Sequence, residues 1–119
     1  MRVSWPHPIL FPNAHRGRSH WAYQSKKKEA RKEGFYAAKQ SGISAPIGKL
    51  SLNVHFYEPN RRRRDLDGML GAVKSHIDGI CDALEIDDSN FIAVVLERSQ
   101  DPEKKGYVEF SIGRVKDES

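Results

Sequence analysis

Between residues 61 and 67 the chain reads Arg61-Arg62-Arg63-Arg64-Asp65-Leu66-Asp67. Guanidinium groups match phosphate oxygens in charge and in fork geometry. Two carboxylates two positions apart suit a hard divalent cation. A site that holds a polyanion and hydrolyses it with a metal needs both residue types at close quarters. The same seven residues would also serve as a solvated basic run beside a helix cap, so the elements around them have to decide.

Downstream of the acidic pair, Leu66, Met69, Leu70, Val73, Ile77, Ile80, Cys81 and Leu84 recur at spacings of three, four and seven. This pattern predicts one amphipathic helix ending near Leu84, with Asp65 at its N-cap. At 100° per residue, Asp67, Lys74 and Asp78 fall within about 20° of one another, on a stripe bordering the apolar face. Gly71 lies on that stripe and leaves room either for a ligand or for a close backbone crossing. A lysine here would offset charge developing on a phosphoryl group. Paired with Asp78 at i+4, it would instead stabilise the helix by a few tenths of a kcal/mol, roughly. Asp87-Asp88-Ser89-Asn90 follows in a polar turn from Glu85, and these are also ordinary turn residues.

The whole chain has 119 residues and a net charge of +4, a size that suits one domain. Its charge is divided: residues 1 to 64 carry 14 Lys and Arg against 3 acids, and residues 65 to 119 carry 6 against 13. A basic N-terminal half fits a phosphate-bearing partner. The acidic half would repel nucleic acid unless bound metal or distance offsets it. The lone Cys81 excludes an intrachain disulfide and points to a reducing compartment. No apolar run approaches the ~20 residues of a membrane span, and Trp5-Pro6-His7-Pro8 breaks any signal-peptide stretch. A soluble cytoplasmic protein is expected. His7, His15, His20, His55 and His76 show no metal-ligand spacing; His15 and His20, set near arginines, suit either phosphate contact or simple exposure.

The remaining elements supply the scaffold. Val3 to Leu10, interrupted by Pro6 and Pro8, predicts an edge or bulged strand. Ser19 is placed to cap a helix from His20 to Gln40, stopped by Ser41-Gly42. Trp21, Ala22, Ser25, Ala30, Phe35 and Ala38 give that helix a thin apolar stripe for a sheet. Lys26, Lys27, Lys28, Arg31, Lys32 and Lys39 give it a basic outer face. Leu50, Leu52, Val54 and Phe56 alternate with polar partners, as in a half-buried strand. Phe91 to Leu96 reads as a buried strand. Tyr107 to Ile112 alternates again and, across the Asp101–Gly106 turn, is expected to close a hairpin with it.

Taken together, Arg64-Asp65-Leu66-Asp67, Lys74, Asp78 and Asp87-Asp88 resemble the RusA-like Holliday-junction resolvases. Pro12-Asn13, His20-Trp21 with the basic helix, and the closing Lys105-Gly106-Tyr107-Val108-Glu109-Phe110 add to the likeness, which spans about residues 6 to 113. The resemblance implies a small, Mg²⁺-dependent, homodimeric endonuclease of the kind common in prophages, with Mn²⁺ as an alternative metal. It implies that Asp65, Asp67 and Asp88, or Asp87 in place of Asp88, hold the metal. Lys74 becomes the essential lysine and Asp78 a supporting acid. Two positions depart from the pattern. Gly68 stands where the family usually has Asn, and Lys74 comes seven residues after Asp67 instead of about four.

The expected fold is α/β (α+β): a small mixed sheet with two main helices in one domain over residues 1 to 115, with a frayed tail at 116 to 119. The expected activity is hydrolysis of DNA phosphodiesters at four-way junctions in recombination and repair. Arg16, Arg18, Lys26, Lys27, Lys28, Arg31 and Arg61, Arg62, Arg63, Arg64 would hold the DNA backbone. The alternatives are a non-catalytic nucleic-acid-binding protein, and a metal nuclease for other branched DNA or RNA.

Overall fold

The alternation in the middle of the chain sets the centre of the fold. In the computed structural model, which describes residues 1–12 and 20–115, β2 spans Leu50–Glu58 and buries every second side chain, from Leu50 through Phe56 to Glu58. It is an inner strand of a mixed four-stranded sheet. The other strands are β1 (Arg2–Ser4), β3 (Phe91–Gln100) and β4 (Tyr107–Arg114), in the order β1-β4-β2-β3. β2 runs parallel to β3 and antiparallel to β4, and β1 is antiparallel to β4.

The expected hairpin between the last two strands does not form, because β2 lies between them. The Asp101–Gly106 turn carries the chain across the end of β2 instead, and the backbone N–H of Asp101 donates to the Glu58 carbonyl at 2.8 Å. Nor is β3 the buried strand its β-branched composition predicts. It is an outer strand, and Ile92, Val94 and Val95 are 54%, 47% and 46% exposed. Composition sets strand preference but cannot distinguish an inner from an edge position. The N-terminal strand is an edge strand as expected, though only three residues long; Pro8–Leu10 forms a 3-10 turn instead of continuing it.

Three α-helices accompany the sheet among the described residues. α1 spans His20–Ser41, close to the expected His20 to Gln40; the expected cap, Ser19, lies outside the described residues, as does the 116 to 119 tail. The single helix expected after Asp65 is two: α2 (Leu66–Ala72) and α3 (Lys74–Leu84), interrupted at Val73. Val73 has φ −108° and ψ 7°, outside helical geometry, and its N–H turns back to Leu70. Its fully buried side chain anchors the break in the core. The angular reckoning that put Asp67, Lys74 and Asp78 on one stripe therefore does not carry across Val73.

α1 lies chiefly against α3, not against the sheet. Two glycines permit this contact: a Cβ on Gly34 would run into the His76 carbonyl, and one on Gly79 into the Arg31 carbonyl. The expected apolar stripe holds in its second half only: Ala30 and Ala38 are buried, with Gly34 and Ala37 beside them, whereas Trp21 is 84% exposed and Ala22 and Ser25 are exposed as well. The main core joins Leu52, Val54, Phe56, Val108 and Phe110 of the sheet to Met69 of α2, Ile80 of α3 and Val73 between them. No helix among the described residues is long and apolar enough to cross a membrane.

Candidate functional site at the Arg61–Asp67 loop

The loop leaves the end of β2 and delivers Asp65 to the start of α2. There Asp65 is the N-cap, and its Oδ1 accepts the Gly68 N–H at 2.6 Å. A Cβ on Gly68 would lie 2.6 Å from that oxygen, so glycine lets the cap close. Asp67 stands exposed in the first turn of α2, where the helix dipole favours an anion. Gly71 meets Pro12, whose Cγ would lie 2.8 Å from an added Cβ. The close neighbour is thus a proline side chain and not a crossing backbone. A cleft of about 470 Å³ opens beside Asp65, lined by Trp5, Phe11, Pro12, Arg62, Arg63, Arg64 and Gly68 among others.

The four arginines divide into two kinds. Arg61, Arg62 and Arg63 are exposed and free to meet phosphate. Arg64 is turned inward with its side chain 13% exposed, 3.3 Å from Glu58 Oε1. It also donates to Asn60 Oδ1 at 3.0 Å and lies over the Trp5 ring. Arg64, expected on DNA, thus clamps the loop where it lines the cleft. Its partner Glu58 is 2% exposed and is also gripped by Arg98, through Nε at 3.0 Å and Nη2 at 2.9 Å. The carboxylate raises the Arg98 pKa further, and Asp65 adds to that effect. Sequence reading missed both Glu58 and Arg98. The signal was present: Glu58 falls on the inward phase of the 50, 52, 54, 56 alternation, where a charge must find partners.

The basic residues of α1 are also partly committed. Arg31, expected on DNA, grips Asp82 of α3 at 2.6 and 2.9 Å. Lys26 pairs with Glu29 at 3.0 Å, and the Lys27 ammonium lies 5.5 Å from the Tyr23 ring centroid. Lys28 is exposed. Arg16 and Arg18 lie outside the described residues.

A second polar cluster ties α1 to α3 beside the N-terminal strand. Glu33 accepts from Ser4 Oγ at 2.8 Å, and its Oε1 lies 3.3 Å from His76 Nε2. Burial pushes the Glu33 carboxyl up, but the bonds to His76 and Ser4 outweigh it and hold the group below its ordinary range. His76, 2% exposed, was read from sequence only as one of several scattered histidines.

The remaining acids lie elsewhere. Lys74 opens α3 and Asp78 sits one turn on, both exposed. After α3 ends at the left-handed Glu85, Asp87 caps the 3-10 turn Asp88–Asn90. The Ser89 N–H and the contact with Asp88 hold Asp87 down, and Asp87 in turn pushes Asp88 up, with Asp78 adding to the effect. Burial first, and then Asp78, Asp88, Asp82 and Asp87, raise the Cys81 thiol to about 11. These acids thus form one pole around the end of α3.

That pole is at the wrong end of the sheet for Asp65. Phe91, three residues after Asp88, pairs with Leu50 at the start of β2, while Asp65 follows Glu58 at its finish. Eight residues of strand separate the two ends by about 26 Å. The expected metal donors thus stand toward two ends of β2, Asp65 and Asp67 after its finish and Asp87 and Asp88 beside its start. No three His, Cys, Asp or Glu side chains converge as a cation site among the described residues.

No family model matches the chain. A protein of Xylella fastidiosa (strain Temecula1), described as uncharacterized, is 42% identical over 98 residues, covering 78% of this chain. The chain spans 62% of that relative's length.

Proposed function

We propose that this chain is a Mg²⁺-dependent, structure-selective endonuclease that cuts branched DNA, with the four-way junction as substrate and a RusA-like resolvase as its type. The observation that carries this reading is the meeting of the exposed Arg62 and Arg63 with Asp65 on one cleft at the end of β2, with Arg61 and Asp67 exposed in the same loop and first helical turn. Arg61, Arg62 and Arg63 would hold backbone phosphates. Such contacts position the duplex and carry little sequence information, so selectivity would come from branched shape and flexibility. The Glu58–Arg64–Arg98 clamp would fix the loop in place. A divalent ion, when bound, supplies an activated water and offsets charge on the scissile phosphate. Lys74, the first residue of α3, would add positive charge beyond Asp67.

A second reading has its own observation. The separation of Asp65 and Asp67 from Asp87 and Asp88 suits a protein that binds nucleic acid without cutting it, its acids acting as helix and turn caps. A synthetic four-way junction incubated with and without Mg²⁺, beside Asp67→Asn, separates the two. The nuclease reading expects Mg²⁺-dependent cleavage that falls at least ~100-fold in Asp67→Asn with junction binding retained. Binding without cleavage by the unsubstituted protein favours the second reading. A replication fork and a branched RNA in the same assay address other substrates.

A further inference from the structure

Charged residues make only part of the cleft beside Asp65; Trp5, Phe11, Pro8 and Pro12 make much of the rest. We infer that this cleft takes one unstacked nucleobase of a DNA strand, the base lying against Trp5 and Phe11 and its flanking phosphates on Arg62 and Arg63. The inference rests on the reading of the arginine loop as a DNA contact and does not require cleavage.

The two rings are open to a guest in a way that the other aromatic groups are not. His55, Tyr57 and Tyr107 form a closed stack, with centroids 4.2 and 4.4 Å apart and planes inclined by 11° and 18°. No base can enter between rings at that spacing. Trp5 and Phe11 do not stack on one another. Their centroids are 6.3 Å apart with planes inclined by 36°, and both residues are half-buried. Trp5 is held from elsewhere: the Arg64 guanidinium lies over its ring, 5.1 Å from the centroid, and Phe56 meets it edge to face. Prolines, whose φ is fixed, stiffen the neighbouring segment. Pro8 opens the 3-10 turn, and Pro12 is seated against Gly71. The walls thus stand in place before a ligand arrives.

The chemistry of those walls selects the occupant. Aromatic faces suit a planar, weakly polar group, and the adjoining exposed guanidinium groups suit the anion attached to it. A nucleotide has both. The volume of about 470 Å³ falls within the ~300–1,000 Å³ of small-ligand sites, which gives room for one base and none for a duplex. A base within a continuous duplex is stacked on both faces and must be extruded, whereas one at a branch point or in a single strand leaves its stack at least cost. The cleft therefore favours DNA whose bases are already loose. That gives selectivity for branches a cause at the level of residues, which phosphate contacts alone cannot supply.

Binding in EDTA tests this without cleavage. Trp5 and Trp21 are the two tryptophans, and Trp21 is 84% exposed, so Trp21→Phe leaves Trp5 as the reporter. A thymidine oligonucleotide is expected to quench Trp5 fluorescence, and an abasic oligonucleotide of equal length and charge to leave it unchanged. Phe11→Leu keeps an apolar side chain of similar size and removes the ring face. Its affinity for a four-way junction and for the thymidine strand is expected to fall about tenfold, while its affinity for continuous duplex is expected to stay at the wild-type value. Phe11→Tyr, which keeps the ring, is expected to bind as the wild type does, and so separates a lost stack from a disturbed fold. Equal quenching by the abasic strand, or wild-type junction affinity in Phe11→Leu, overturns the base site. A protein that shows base-dependent quenching but cuts nothing in Mg²⁺ fails the nuclease reading and leaves the base site standing. One that cuts junctions but does not distinguish the abasic strand does the reverse.

Discussion

At the scale of single residues, the arginine run divides between binding and architecture, and the two roles make different predictions. Arg62→Ala removes an exposed cation and is expected to lower the slope of log affinity against log salt by about 1, with little change in stability. Arg64→Ala breaks the link from the loop to Glu58 and is expected to lower stability as well. Glu58→Ala leaves Arg64 and Arg98 without their common partner. Urea unfolding is expected to report a loss of about 2 to 4 kcal/mol; a loss under 1 kcal/mol would show that the clamp is dispensable. Asp101 gives a pH prediction. The Glu103 and Gly106 N–H groups, with that of Lys105 against the opposing effect of burial, hold its carboxyl below the ordinary range. Its folded pKa is lower than its unfolded one. The stability it contributes is therefore present above about pH 4 and is lost as pH falls toward the folded value. Thermal melting of Asp101→Asn is expected to show a shallower acid-side decline than the wild type.

At the scale of elements, close packing of α1 on α3 depends on two glycines. Gly34→Ala and Gly79→Ala each drive a methyl into a backbone carbonyl and are expected to cost about 1 to 3 kcal/mol, against the small gain alanine gives an open helix position. Equal or higher melting temperatures for both variants would contradict that packing. The elements also show what a sequence can carry. The period-two run at Leu50–Phe56 and the basic helix from His20 were legible because each is a local pattern, repeated over many residues. The break at Val73 was not, because the apolar spacing continues across it. The hairpin expectation failed for a topological reason: the turn at Asp101–Gly106 looks the same whether the next strand pairs with the last or passes β2. The exposure of β3 follows from that crossing.

For the whole molecule, the charge division read from the sequence acquires a geometry. The basic half contributes Arg62 and Arg63 to the cleft at one end of β2, and Asp78, Asp82, Asp87 and Asp88 of the other half gather around the end of α3 at the opposite end. Asp65 and its neighbours were legible as a candidate site because they are contiguous. Their distance from Asp87 and Asp88 was not legible, since it depends on β3 running parallel to β2. A polyanion approaching one chain meets a cationic end and an anionic end, and is expected to bind at the former with strong salt dependence. The measurement that bears most directly on the proposed activity is scission of an end-labelled four-way junction by the purified protein in Mg²⁺. Nicked and linear products are expected in Mg²⁺ and none in EDTA. Junction that is fully bound yet uncut at saturating protein and Mg²⁺ would contradict it.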